Sequence, residues 1–430
     1  MIKSIVLVAD AYPPSRTSAA LQLKDLALEF LRQGITPTVI TSDSGVLRCS
    51  ELAELDGIHV LRLKTPEHKN IGRVRRAIAE LLMPFFMIRN LKKSALKNTK
   101  WDAVIWYSPT IFLGPFIFYL KKQNACPSYL ILRDIFPAWA LDLGLIRKGP
   151  VYYFFRMFER FQYSIADCIG VQATGNVEYF KAWPSFAHKK IEILQNWLSP
   201  KPLSNCSVDI STLPIASRKI FVYAGNMGIA QGMGDLLLLA EALLPLTDVG
   251  FLFIGRGSDV EFLKRDAKNR GLVNTVFCDE IDAEQIPGLY AQCDVGLIAL
   301  DVRHKTHNIP GKFLSYLQAG LPIMAIINAG NDLQLIIEKY QVGRVTTDRS
   351  QEKLGVLAAS LIDDISSEND EMSIRCKKLA AELFSSEAAV KQIIKTLCLM
   401  VNFWYMIQLK QIQMARYVTA KLVMVFLTKQ

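Results

Sequence analysis

In HNIPGKFLSYLQAGLP, His307 to Pro322, a lysine falls in the first turn of a short helical pattern. A cation is unfavourable there, because the free N–H groups of a helix start carry partial positive charge. An anion docked at that turn reverses the penalty. The N–H groups point at it and Lys312 adds a point charge. Pro310 wastes no donor in a first turn, and Gly311 has no side chain to hold an anion off the backbone. The alternative is a lysine bent into solvent. GRGSD at 255–259 repeats the theme, with Gly255 and Gly257 between an apolar run and a helical pattern and Arg256 as a second cation. Two cations and two helix starts on one sheet edge predict a diphosphate site.

The same glycines, followed by Asp279, compete as a dinucleotide fingerprint with its ribose-binding acid. Val260 stands where the third glycine belongs, and that reading leaves Lys312 unexplained.

The elements that must position these residues are short apolar runs alternating with helical patterns such as LQLKDLALEFLRQG and GDLLLLAEALLPL. Strands are expected near 4–9, 38–41, 59–63, 103–107, 129–132, 168–172 and 190–194. A second series falls near 220–223, 250–254, 275–278, 295–299, 322–327 and 343–346. Strands apolar on both faces, alternating with amphipathic helices, predict parallel α/β sheets. SPKPLSNCSVDISTLPIASR, 199–218, has no long apolar run and reads as a linker. The expected organisation is 1–198 as a first domain, 199–218 as linker, 219–394 as a second domain and 395–430 as an apolar, basic tail. Two Rossmann-like, doubly wound halves then face each other across a cleft at the carboxyl ends of both sheets.

The 430 residues carry a net charge of +10, which points to an anionic partner. The eight Cys show no CxxC pairing, and a reducing compartment is expected. MIKSIVLVADAYPP is too short in apolar residues for a secretory leader, so a cytoplasmic location is expected. No RNP or KH pattern is present, and nucleic acid is not an expected partner.

The order of segments resembles a known family. YAGNMGIAQG, FLFIGRGSD, VFCDEIDAEQIPGLYAQCDVGLIAL and NIPGKFLSYLQAGLPIMA are similar to the nucleotide-sugar half of GT-B glycosyltransferases of glycosyltransferase family 4. AYPPSRTSAALQLKDLALEFLRQGITPTVIT and RDIFPAWALDLGLI resemble that family's first domain. The resemblance covers roughly 1–395 and is strongest to bacterial O-antigen and capsule N-acetyl-fucosamine transferases. It implies the GT-B fold and donor binding by Gly225, Asn226, Gln231, Arg256, Gly257, Asp279, Ile281, Gly311 and Ser315. It also implies a first-domain loop of Ser15, Arg16, Thr17 and Ser18, with Lys312, Asp134 and His307 nearest the chemistry. The family commonly has two Glu where this chain has His307 and Ser315, and cations near Asn226 and Gln231. Lys312 and Arg256 are expected to compensate.

The implied reaction is retaining transfer of an N-acetylated amino-deoxy sugar from a UDP-linked donor to a polyprenyl-diphosphate-linked saccharide. No D-x-D stands where a metal would bridge the phosphates, so neither metal nor cofactor is expected. Asp134 would orient the acceptor or a sugar hydroxyl; capping the next turn is its alternative. Two other readings share the scaffold. One is a nucleotide-sugar 2-epimerase using Asp134, Asp279, Glu280, His304 or His307, and the other is a non-catalytic membrane-binding relative. The stretch 64–100 holds ten Lys or Arg against two Glu. With Leu81, Leu82, Phe85, Phe86 and Ile88 it reads as an anionic-membrane contact on the inner face of the cell membrane, or as an ordinary helix with a solvated basic face. AVIWYSPTIFLGPFIFYL is uncharged, but its Pro and Gly residues predict a strand and helix rather than a membrane span.

Overall fold

The computed structural model describes residues 2–401 apart from 16, 68–70, 109, 143, 187–188, 201, 229–230, 303–308 and 369, together with the side chains of 73 and 74. The expectations for Arg16, His304, His307 and the tail beyond 401 therefore lie outside the described residues. The chain forms two compact units that exchange segments. One comprises residues up to Val171, Trp183–Leu194 and the chain from Val390, and the other Gln172–Ala182 and Gln195–Ala389.

The first unit contains β1 (Ser4–Ala9), β2 (Thr36–Asp43), β3 (Ser50–Leu55), β4 (Ile58–Lys64), β5 (Ala103–Ser108), β6 (Ser128–Leu132), β7 (Cys168–Val171) and β8 (Lys190–Ile193). They pair in the order β3-β4-β2-β1-β5-β6-β7-β8. All neighbours are parallel except β3 and β4. Its helices are α1 (Ser18–Arg32), α2 (Arg73–Leu91), α3 (Gly114–Asn124), α4 (Ala138–Asp142) and α5 (Pro150–Ile165). The uncharged stretch at 103–120 is thus β5 and the start of α3. Among the described residues no helix is long and apolar enough to cross a membrane. A helical run over 386–401 returns to this unit. Gln392 Nε2 donates to the Ile193 carbonyl at 2.8 Å, and Leu397 is fully buried.

The second unit contains α6 (Thr174–Lys181), β9 (Lys219–Ala224), α7 (Met233–Ala242), β10 (Val249–Ile254), α8 (Val260–Asn269), β11 (Thr275–Cys278), α9 (Ile286–Tyr290) and β12 (Val295–Ala299). It continues with α10 (Gly311–Ala319), β13 (Ile323–Ile326), α11 (Asp332–Tyr340), β14 (Gly343–Thr346), α12 (Gln351–Ser367) and α13 (Glu371–Leu383). The parallel sheet runs β11-β10-β9-β12-β13-β14, with one apolar core on each face. Strand order reverses between β9 and β12. The segments after those two strands therefore diverge and open a crevice at the carboxyl edge.

The 199–218 stretch is not a free linker. Ile215 is fully buried in the second unit's core and Ile210 nearly so. The Ser207 N–H and hydroxyl both donate to Gln285 Oε1, at 2.8 and 2.7 Å. Its isolated apolar residues anchor it as a strap, which a composition reading cannot see.

Candidate functional site

The crevice of the second unit is a cleft of about 670 Å³. Lys312 stands at its polar end. It is the second residue of α10, whose N-cap is Pro310 and whose first turn has neither a side-chain cap nor an acidic residue. The Gly311 and Lys312 N–H groups thus face outward without a capping side chain. Lys312 Nζ lies 4.7 Å from the centre of the Tyr223 ring. Among the described residues no carboxylate pairs with it, and burial lowers its pKa from 10.5 to about 8. A half-buried ammonium resting on an aromatic face is an unfilled electrostatic demand.

Gly225, just after β9, makes room for that ammonium. Its φ is +131°, and a Cβ there would come within 3.0 Å of Lys312 Cε and 3.2 Å of Nζ. Gly255 and Gly257 serve a different end. A Cβ on Gly255 would sit 1.9 Å from the Gly225 carbonyl oxygen, and one on Gly257 2.0 Å from that of Met227. The loops after β9 and β10 cross there, tied by Met227 N–H donating to the Arg256 carbonyl at 2.8 Å. These glycines are required by loop-on-loop packing.

Ser315 lies one turn along α10, on the cleft wall, and its hydroxyl donates to the Lys312 carbonyl at 3.1 Å. The far wall is apolar: Ile281, Ile286, Pro287 and Tyr290. The 199–218 strap and Leu198 just before it close one side, through Leu198, Pro200 and Leu203. Gln318 Nε2 holds it by donating to the Leu198 carbonyl at 2.6 Å. The cleft therefore joins a cationic, N–H-rich end to an apolar slot.

Of the expected donor residues, Gly225, Ile281, Gly311, Lys312 and Ser315 meet in this cleft. Arg256 does not. Its side chain is 80% exposed and pairs at 3.3 Å with Glu280, a cleft-lining residue, which puts Arg256 at the cleft's rim. Asn226 and Gln231 brace the β9 loop, with Asn226 Nδ2 donating to Gln231 Oε1 at 3.0 Å. Gly257 lies at the loop crossing, and Asp279 is exposed beyond the lining. Tyr223, Tyr290, the strap and Lys377, which also lines the cleft, escaped the sequence reading. Tyr223 carried one usable signal, a ring two residues before Gly225.

Asp134, Ser15, Thr17 and Ser18 belong to the first unit. Asp134 follows β6 and Arg133; burial raises its carboxyl above the ordinary range, against the pull of Arg133. Arg133 itself is buried, donating to the Leu194 carbonyl at 3.3 Å. Thr17 caps α1 by accepting from Ala20 N–H, which gives it a structural role. Ser18 is the first residue of α1. Ser15 lines a separate cavity of about 240 Å³ with Asp10, Tyr12 and Arg62. Among the described residues no group of three His, Cys, Asp or Glu is placed to hold a metal ion.

Solved structures identify the architecture. Sucrose-phosphate synthase from Thermosynechococcus elongatus superposes with a TM-score of 0.65 at 13% identity, covering 93% of this chain and 99% of that one. HepE from Anabaena, in complex with UDP and glucose, gives 0.60 at 16% identity over 92% and 99%. WaaG, a glycosyltransferase involved in lipopolysaccharide biosynthesis, gives 0.56 at 16% over 90% and 99%. The chain has the GT-B fold. No protein-family model matches it. Two curated relatives do. WbjE of Pseudomonas aeruginosa, named as a probable glycosyltransferase, is 26% identical over 65% of this chain and 70% of its own length. WcaI of Escherichia coli K12, named for colanic acid biosynthesis glycosyl transfer, is 25% identical over 57% of this chain and 62% of its own length.

Proposed function

We propose that this protein is a retaining glycosyltransferase of glycosyltransferase family 4, acting in O-antigen or capsule assembly. It moves an N-acetylated amino-deoxy sugar from a UDP-linked donor to a polyprenyl-diphosphate-linked saccharide. The observation that carries the reading is Lys312: a half-buried ammonium that pairs with no carboxylate among the described residues, at an uncapped helix start, beside an apolar slot. A nucleoside diphosphate matches that sequence of environments. The names of WbjE and WcaI, and the UDP held by HepE, support the transferase and the UDP donor.

In this mechanism the bond from the anomeric carbon to the diphosphate oxygen breaks as the acceptor hydroxyl bonds to the same face of that carbon. The acceptor proton passes to the departing phosphate. Lys312 and the first N–H groups of α10 stabilise the charge developing on that phosphate, which is often the largest single catalytic contribution. Asp134 orients the acceptor or a sugar hydroxyl. No resident metal or cofactor takes part.

The acceptor places the enzyme on the cytoplasmic face of the membrane. The exposed Arg75 and Arg89 of α2, with its outward Ile78, Leu82 and Phe85, support an anionic-membrane contact.

The test is UDP release from a panel of UDP-sugars, with and without lipid-linked acceptor. Acceptor-dependent release, cut about a hundredfold in Lys312→Ala with an unchanged thermal transition, is expected. Interconversion of the free UDP-sugar without transfer indicates an epimerase. No turnover of any donor refutes an enzyme of this class.

A further inference from the structure

Helix α5 carries apolar side chains on both faces: Phe155 and Phe158 pack inward on the buried Phe112, with ring centres 6.2 and 5.0 Å apart. Its buried face carries Glu159 and Gln162, both at 0% exposure, with Tyr163 and Ile165. Its outward face carries Phe154, Met157 and Phe161, at 41%, 57% and 40% exposure. These three follow i, i+3, i+7 spacing and so form one stripe. Tyr153 and Val151 extend it, at 65% and 59% exposure. Burying Glu159 on the inward face demands a charged partner. That partner is built: Arg156 Nη1 meets Glu159 Oε2 at 2.7 Å, and the guanidinium lies 3.8 Å from the centre of the Trp183 ring. A helix whose inward face is already satisfied, and which still exposes Phe154, Met157 and Phe161, is suited to an apolar exterior.

The stripe is not isolated. α5 packs on α3, where a Cβ on Gly114 would touch Phe161 at 2.9 Å, and α3 packs on α2. α3 exposes Phe118, and α2 exposes Ile78, Leu82 and Phe85 at i, i+4, i+7. Exposed cations flank both stripes: Arg75 and Arg89 fall one turn before and after the α2 stripe, and Arg147 and Lys148 lie just before α5. An apolar centre with a cationic border complements an anionic bilayer surface, with apolar side chains at the acyl boundary and arginines at the phosphates.

We infer that α5 is the element that enters the membrane, its Phe154–Met157–Phe161 stripe lying in the interface plane beside α2. The inference rests on the membrane-bound acceptor proposed above and names the surface that reaches it. At 16 residues α5 lies in the interface rather than spanning it.

The experiment is flotation of the full chain with phosphatidylglycerol-containing vesicles at about 0.1 M and about 1 M salt, where the Debye length falls to roughly 3 Å. Wild type should keep part of its binding at high salt. Phe154→Ser/Met157→Ser/Phe161→Ser should lose at least about tenfold of that salt-resistant fraction. Its thermal transition should stay cooperative, and its UDP release with a water-soluble acceptor should not change. Met157→Trp provides a second readout, with emission quenched by brominated lipid more strongly than in wild type. Equal high-salt binding by the triple variant, or no added quenching in Met157→Trp, overturns the inference. So does a wild-type dimer in sedimentation that the triple variant converts to monomer, since the occupant is then a second copy. Vesicle binding is read without turnover, so failure here and failure of the transferase reading are distinguishable.

Discussion

Raising the pH through about 8 takes the proton off Lys312 in the ligand-free protein, and affinity for UDP should fall with it. A diphosphate seated at α10 restores the ammonium, so binding takes up a proton whenever the free protein has lost it. About half a pH unit above the lowered value, close to three-quarters of Lys312 is neutral, and uptake should approach about 0.75 proton per UDP. One further unit higher, affinity should have fallen about 30-fold from its neutral-pH value. The terminal phosphate of UDP, with a second pKa near 6, is already ionised there and contributes little.

Stability runs the other way. Below about 8 Lys312 is charged in both folded and unfolded chains, and the folded state carries the full desolvation cost. Between about 8 and 10.5 the folded chain sheds the proton while the unfolded chain keeps it, so folding stability rises with pH in that window. The gap corresponds to about 3 kcal/mol, so Lys312→Met should be more stable than wild type at neutral pH while binding UDP poorly. Isothermal titration in two buffers of different ionisation enthalpy measures the uptake, and denaturant melts measure the stability. Uptake near zero in wild type, or equal uptake in Lys312→Met, refutes the reasoning.

Gly225→Ala should weaken UDP binding about tenfold or more, because its Cβ would press on Lys312 Cε from 3.0 Å; its left-handed φ adds about 1–3 kcal/mol of destabilisation, and calorimetry reads both. Gly257→Ala should cost about 3 kcal/mol or more in stability, since its Cβ meets the Met227 carbonyl oxygen; an unchanged melting temperature contradicts the loop crossing. Arg256→Ala should change stability by less than about 1 kcal/mol, because its ion pair with Glu280 is exposed. Its turnover should stay within about threefold of wild type, and a hundredfold loss would return Arg256 to the diphosphate.

The strands were legible wherever both faces are buried, since a strand covered by helices on each side is apolar at nearly every position. All thirteen expected strands are present. β3 was missed because SELAEL alternates charge with apolar residues on a sheet edge and has no apolar run. Lys312 was legible because a cation at a helix start contradicts local electrostatics and so demands a partner. The ion pair that holds Arg256 at the cleft's rim was not legible, because sequence spacing does not encode its pairing with Glu280. The strap looked like a linker because Ile210 and Ile215 are single anchors among polar residues. The exposed stripe of α5 was illegible for a further reason: PVYYFFRMFERFQYSI is apolar around most of its circumference, so periodicity does not say which apolar residues stay outside.

The central claim is that the cleft beside α10 is the donor diphosphate site, and a structure determined with UDP bound tests it most directly. A phosphate oxygen is expected within about 3 Å of Lys312 Nζ, with the first N–H groups of α10 directed at the same phosphate and the uridine lying toward Ile281 and Tyr290. UDP seated with its phosphates beyond hydrogen-bonding reach of Lys312 would contradict it.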